Sequence, residues 1–455
     1  MKLTSLIGKL CNKDVKKIGL FGLGASNKRI AEILLEEGWQ HGFTLRSSDP
    51  IQRSIAPYIN SSYFGEYALT DIQEELLLLS PSVRREDKIL RVAESSGCIL
   101  SSDSELFFSS NPKNVLAITG SDGKSTVTYL TSKLTEATLA APPSGNFGLP
   151  LCELLRNGEP KGAVVELSSF QLTYMKPAST RALITNITEN HLNWHKDFFE
   201  YISAKKNIFA NAQTRAIVPD GEICERIALE ENIDVLVSDK LSSIELVRKY
   251  RPKLTVTKEL EHICINGTPT IPLSAFLRTE DYNIKNFMCA LALGWEFTDK
   301  DTALELAKSF SGLPHRKEIF LTKNGIRYVN SSIDSTPSRT EITLSSLSDK
   351  AIVIVGGASK GLSYEPLIRA IKSHAKTVIL TGQSANALFG VFSGEKDFPT
   401  IHLEYDFEYA VELAVKIATP GDTVILSPAH TSYDRFENFE ERGEYFKKII
   451  KKITK

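Results

Sequence analysis

Cysteine is scarce in this chain of 455 residues: Cys11, Cys98, Cys152, Cys224, Cys264 and Cys289 stand far apart, and no two form a C-x-x-C pair. That spacing excludes a disulfide framework and leaves reduced thiols, most of them expected in the core. Net charge is lacking as well, since 54 Lys and Arg against 55 Asp and Glu give a formal charge of −1. A chain so balanced has no bulk attraction to nucleic acid or to an anionic membrane, and neither is expected as a partner. No apolar run approaches a membrane span, and the N-terminus carries no signal-type apolar segment. A cytoplasmic protein, and a monomer, is expected. There is no low-complexity linker either, so domain borders must come from pattern, and the length suggests about three domains.

What is present is a repeated alternation of short apolar runs with longer stretches of helical period, the signature of parallel α/β sheets. The most informative point is Gly120-Ser121-Asp122-Gly123-Lys124-Ser125-Thr126, which follows the apolar run Val115-Leu116-Ala117-Ile118 and precedes a helical pattern. Gly120 and Gly123 reach backbone angles closed to other residues, so that N–H groups converge on phosphate oxygens at a helix start. Lys124 adds a positive charge, and Ser125 or Thr126 a hydroxyl for Mg²⁺. The usual phosphate loop has about four residues between its glycines; this one has Ser121 and Asp122 only, which argues against an ordinary kinase or GTPase.

Earlier in the chain, Ile18-Gly19-Leu20-Phe21-Gly22-Leu23-Gly24-Ala25-Ser26 reads as a strand running into a G-x-G turn, with a second strand ending near Asp49. It resembles half of a dinucleotide fold without the third glycine, Asn27 and Lys28 standing in that region. The helix after Gly24 is a candidate phosphate seat. Further strands are expected near Ala163 to Leu167, Ala182 to Thr185, Ala351 to Val355, Thr377 to Leu380 and Thr423 to Leu426. Glu166, at the end of its strand, offers the hard oxygen Mg²⁺ requires, although a surface glutamate is the plain alternative. His191 and His195 lie four apart, but no cysteine or carboxylate completes a closed zinc site. A single histidine assisting a second Mg²⁺ or a phosphate fits better. Lys205 falls one turn after Tyr201 on a helical stretch, where a lysine is ordinarily solvated.

Together these segments resemble the Mur ligase family. The resemblance spans nearly the whole chain: the short loop G-S-D-G-K-S-T, Gly145-Asn146-Phe147-Gly148-Leu149-Pro150, E-L-S-S-F-Q-L from Glu166, N-I-T-E-N-H-L from Asn186, Ala204-Lys205, and Leu313-Pro314-His315-Arg316. The run from Leu426 through Ser432 and Phe439 to Gly443 is similar to the branch that adds D-glutamate.

That resemblance implies an α/β fold of three domains: a Rossmann-like, UDP-substrate-binding domain (1–102), a central P-loop ATPase (103–312) and a C-terminal Rossmann-like, amino-acid-binding domain (313–455). It implies that ATP phosphorylates the carboxylate of UDP-N-acetylmuramoyl-L-alanine and that the D-glutamate amine attacks the acyl phosphate, a step of peptidoglycan precursor synthesis. Lys124 would neutralise the transferred phosphoryl group. Two Mg²⁺ ions are implied, one between Ser125 or Thr126 and Glu166, the other near His191 and a carbamylated Lys205. Asn286, in Tyr282-Asn283-Ile284-Lys285-Asn286, would read adenine, and Arg316 would reach the phosphates. Gly24, Ser26, Asp49, Asn146, Ser168 and Gln171 would bind the UDP substrate. Lys360, Ser432 and Phe439 would hold D-glutamate, and domain closure would assemble the site and exclude water.

The chain departs from the family at four places. Tyr282 stands where the H-N-x-x-N helix start has His. Asn330-Ser331-Ser332 stands where N-D-S is common, which removes an aspartate expected near the ribose, with Asp334 a few residues on; Asn190 makes E-N-H of E-D-H; and Ser80-Pro81-Ser82 replaces S-P-G. Two rivals share the central motifs: a related amide ligase, such as another Mur enzyme or a folylpolyglutamate synthetase, and a non-catalytic ATP switch, which would need neither Lys205 nor Ser432.

Overall fold

The computed structural model describes residues 2–47, 57–65, 71–81, 83–84, 88–156, 160–192, 194–359 and 362–454. Asp49 and Lys360 therefore lie outside the described residues. The chain forms two compact units, residues 1–309 and 310–455. Among the described residues no helix is long and apolar enough to cross a membrane.

The first unit contains two sheets. One has the strands β1 (Ile18–Phe21), β2 (Phe43–Ser47), β3 (Ile59–Phe64), β4 (Leu76–Leu79) and β5 (Ile99–Ser101), in the order β3-β2-β1-β4-β5, all parallel. Both β1 and β4 are buried at every residue, as expected of parallel strands covered on both faces, and this is why they read as unbroken apolar runs. The absent third glycine has a structural counterpart. Asn27 is buried, and its side-chain amide donates to Gly22 O at 2.8 Å and Leu78 O at 3.0 Å, tying the ends of β1 and β4 together.

The second sheet comprises β6 (Val115–Thr119), β7 (Pro143–Gly145), β8 (Ala163–Glu166), β9 (Ala178–Ile184), β10 (Asn211–Ile217), β11 (Val235–Ser238), β12 (Leu254–Glu259), β13 (His262–Ile265) and β14 (Thr268–Pro272). Its order is β14-β13-β12-β11-β10-β9-β6-β8-β7. It is parallel up to β12, after which β13 and β14 add antiparallel hairpins. The turn between those last two is Asn266-Gly267, both with positive φ, the local signal for a tight hairpin. Polar ties join the two sheets' surroundings: Asp103, 5 % exposed, accepts from the backbone of Leu151 and Cys152 at 2.8 and 2.7 Å, and the half-buried Arg29 pairs with Glu153.

The second unit has one sheet: β15 (Glu318–Lys323), β16 (Ile326–Asn330), β17 (Ala351–Gly356), β18 (Ala375–Thr381), β19 (Thr400–Leu403) and β20 (Thr423–Leu426), in the order β15-β16-β20-β17-β18-β19. Only β15 runs antiparallel, joined to β16 by a second Asn-Gly turn at Asn324-Gly325. Val353, Val355, Val378 and Leu380 pack on one face and Ile352, Ile354, Ile379 and Val424 on the other. This alternation of period two is what a sheet buried on both sides requires.

Candidate active site

The phosphate loop is built by β6, an interior strand between β8 and β9, running into the helix Lys124–Leu134. Gly123 is the N-cap at φ 79, and a Cβ there would meet Asn286 Oδ1 at 2.4 Å. A Cβ on Gly120 would lie 1.9 Å from Thr185 Oγ1. The glycines therefore let neighbouring chain segments close on the loop as well as setting its backbone angles. Asn186 Oδ1 accepts from the N–H groups of Ser121 and Asp122 at 3.0 and 2.8 Å, holding the turn from outside. The sequence shows Asn186 at the head of N-I-T-E-N-H, but its clamp on the loop spans more than sixty residues and is visible only in the fold.

Lys124 Nζ donates to Gly120 O and Ser121 O, each at 2.9 Å. Lys205 Nζ donates to the same Gly120 O at 2.7 Å. It lies 4.6 Å from the Tyr201 ring centre and is only 2 % exposed. Burial, and then the charge of Lys124, push the Lys205 pKa well below the ordinary lysine value, with Glu166 and Asp122 opposing. Tyr201 in turn bonds Ser121 Oγ at 2.8 Å. His191, at φ 56 and edge-on to Phe170, belongs to the same neighbourhood: partial cover, and then the charges of Lys124 and Lys205, hold its pKa below the usual histidine value.

Glu166 ends β8 beside Gly145 and is 1 % exposed. Its Oε1 accepts from Asn146 Nδ2 at 2.6 Å, while Oε2 is buried without a hydrogen-bond partner. A buried carboxylate oxygen left open in this way suits a hard cation. Among the described residues no three His, Cys, Asp or Glu side chains form a metal-binding group.

Residues 118–294 match the profile of the Mur ligase middle domain, and residues 315–430 that of the Mur ligase, glutamate ligase domain. A UDP-N-acetylmuramoylalanine--D-glutamate ligase of Ruminiclostridium cellulolyticum is 32 % identical, the match covering 97 % of this chain and 98 % of that one. Another from Acetivibrio thermocellus is 33 % identical over 96 % and 97 %. This chain belongs to the Mur ligase family. A crystal structure of a UDP-N-acetylmuramate-alanine ligase from Thermotoga maritima shares the fold, with a TM-score of 0.57 at 16 % identity over 96 % of this chain and 99 % of that one. Mur ligases use ATP and Mg²⁺.

For a Mur ligase the expected residues of the central sheet gather closely: Gly120, Gly123, Lys124, Asn286, His191 and Lys205 surround one loop, with Glu166 near enough for its charge to act on Lys205. Ser168 and Gln171 are engaged differently. They form a capping box at the start of the helix Ser169–Tyr174, and Gln171 Nε2 also donates to Ser104 Oγ at 2.7 Å. On the first sheet, Gly24 caps the helix Ala25–Glu36, and Ser26 lies close enough to the buried Asp103 to favour its charged form.

In the second unit, Arg316 is exposed and Ser432 is 2 % exposed in a turn whose carbonyl accepts from Arg435 and Phe436. Phe439 opens the helix Phe439–Ile453 and packs edge-on to His315 at 6.0 Å. Asp334 does not stand in for the missing aspartate at an open site. It is 4 % exposed, takes the Ser427 hydroxyl at 2.7 Å, and burial raises its pKa. Arg442, which carried no assigned role in the sequence, is buried among neutral acceptors.

His315 is seated by Asn330 at 2.9 Å, and Gly443 leaves it room: a Cβ at Gly443 would lie 2.2 Å from His315 Nδ1. Alanine at this helical position gains about 0.5–1 kcal/mol in propensity but must push into a filled space at a cost of about 1–3 kcal/mol, so Gly443→Ala should lose roughly 0.5–2 kcal/mol net. Urea unfolding measures it, and a midpoint at or above the parent's would show that the seat of His315 is loose.

Proposed function

We propose that this chain is the ATP-dependent ligase that joins D-glutamate to UDP-N-acetylmuramoyl-L-alanine through an acyl phosphate. The observation carrying this reading is the convergence of Lys124 and the buried Lys205 on Gly120 O, with the open Glu166 oxygen close by. Lys124 offsets the charge gathering on the transferred phosphoryl group, and the loop N–H groups at the helix start orient the phosphates. Bound Mg²⁺ would neutralise phosphate charge and hold ATP in position, with Glu166 and Ser125 or Thr126 as one set of ligands and His191 and carbamylated Lys205 as the other. Asn286 serves adenine and Arg316 the phosphates. Asn146, Ser168 and Gln171 serve the UDP substrate, together with Gly24, Ser26 and Asp49; Lys360, Ser432 and Phe439 serve D-glutamate. We further propose three domains, 1–102, 103–312 and 313–455, one for each sheet.

The test is phosphate release from ATP with purified UDP-N-acetylmuramoyl-L-alanine. Release should require that substrate, and amide product should require D-glutamate as well. ATP turnover indifferent to both would support the switch. A second prediction separates the D-glutamate seat from the rest. Ser432→Ala should raise the KM for D-glutamate by about tenfold or more, since a hydrogen bond to a charged group contributes roughly 1.5–3 kcal/mol, while leaving the other two substrates unaffected. Equal weakening of all three in initial-rate measurements would make Ser432 structural.

A further inference from the structure

The second unit holds a cavity of about 540 Å³ bounded neither by Ser432 nor by Phe439. It opens over the carboxyl ends of β17 and β18, where parallel α/β sheets receive ligands. At one place it meets Arg442, 2 % exposed, whose guanidinium donates to Ser332 Oγ at 3.0 Å, Ser332 O at 2.9 Å and His430 O at 3.1 Å. All three acceptors are neutral. A guanidinium has five N–H donors, and a charge buried this deeply is costly unless an anion completes the set. Burial pushes its pKa down to about 10, with the charges of Asp434 and Asp334 opposing.

An acid borders the same cavity. Asp434 Oδ2 accepts from the Gln383 N–H at 3.1 Å. Both charges rely on glycine for space: a Cβ on Gly357 would lie 3.2 Å from Arg442 Nη1, and one on Gly382 2.5 Å from Asp434 Oδ2. The remaining walls include Tyr405, Phe407, Tyr433 and Phe436. The other cation at the cavity, Arg435, is already paired with Asp406 at 2.7 Å.

We propose that this cavity is a second small-molecule site, taking a zwitterionic α-amino acid with an aromatic side chain. The ligand's carboxylate meets Arg442, its ammonium meets Asp434, and its side chain lies against the aromatic walls. The site is also wired to a neighbour: Ser332 Oγ, which Arg442 holds, donates to Phe439 O at 2.8 Å. Ligand binding therefore shifts the KM for D-glutamate. That last statement rests on the D-glutamate reading above, whereas the binding itself does not.

The test is calorimetric titration of the full chain with L-phenylalanine in the absence of ATP. Saturable binding is expected, weakened about tenfold by Asp434→Asn and by Tyr433→Ala, a loss of about 1.4 kcal/mol each. N-acetyl-L-phenylalanine, which lacks the ammonium, should bind correspondingly less well, and excess D-glutamate should not displace the probe. No saturable heat at the solubility limit overturns the proposal, as does binding indifferent to both substitutions or competitive loss to D-glutamate. L-phenylalanine binding with an unmoved D-glutamate KM removes the coupling and keeps the site. Binding in a chain that forms no D-glutamyl product removes the ligase reading and likewise keeps the site.

Discussion

Lys124→Ala should lower turnover by about three orders of magnitude or more while the chain still unfolds cooperatively. Lys124 donates to two carbonyls of its own loop, at Gly120 and Ser121, so its charge is held on the loop proposed to bind the phosphates. Removing a preorganised donor to developing charge typically costs about 10²–10³ in rate, and a full cation at the transferred group should exceed that range. The loss should appear in kcat more than in the KM for ATP, because the contact strengthens as the phosphoryl group moves. Initial rates and a denaturation curve on the same preparation decide it. Retention of a tenth of the parent activity would contradict the role.

The second large effect concerns Lys205. An ammonium there would repel Mg²⁺, whereas a carbamate brings negative charge and hard oxygens. Its formation balances simply: the neutral amine nitrogen attacks dissolved CO₂, a C–N bond forms, and one proton leaves to solvent. Burial and the Lys124 charge depress the pKa, which makes the neutral amine easier to reach than in a solvated lysine. The sign follows directly. As pH falls through the depressed pKa the amine takes a proton and the adduct is lost; above it the amine is free to react, at a lower pH than for a solvated lysine. Lys205→Ala should be nearly inactive and Lys205→Glu partly active at best, and a small added carboxylate should restore some activity to the alanine variant. Carbon NMR with labelled bicarbonate would reveal the carbamate. Full turnover in CO₂-free buffer with an unmodified lysine would end this account.

Much of this was legible in the chain itself. The short phosphate loop, its strand before and helix after, and the ends of β8, β17, β18 and β20 depend on local rules: glycine angles, apolar runs and helix starts operate within a few residues. The two Asn-Gly hairpins, at Asn266 and Asn324, followed the same local rule and went unread because the parallel pattern around them was stronger. The pairing of Tyr201 with Lys205 was visible as one helical turn.

Tertiary structure decided the rest. That Lys205 is a buried donor to Gly120 rather than a solvated lysine depends on a contact across 85 positions of sequence. That Glu166 keeps one oxygen open while Asn146 holds the other depends on the pairing of β7 with β8. The inward turn of Asp334 and the burial of Arg442 have no counterpart in spacing or composition. Glycine angles and apolar periods are set by neighbours in the chain, whereas desolvation and hydrogen-bond partnership are set by what packs against a group, and packing is a property of the folded whole.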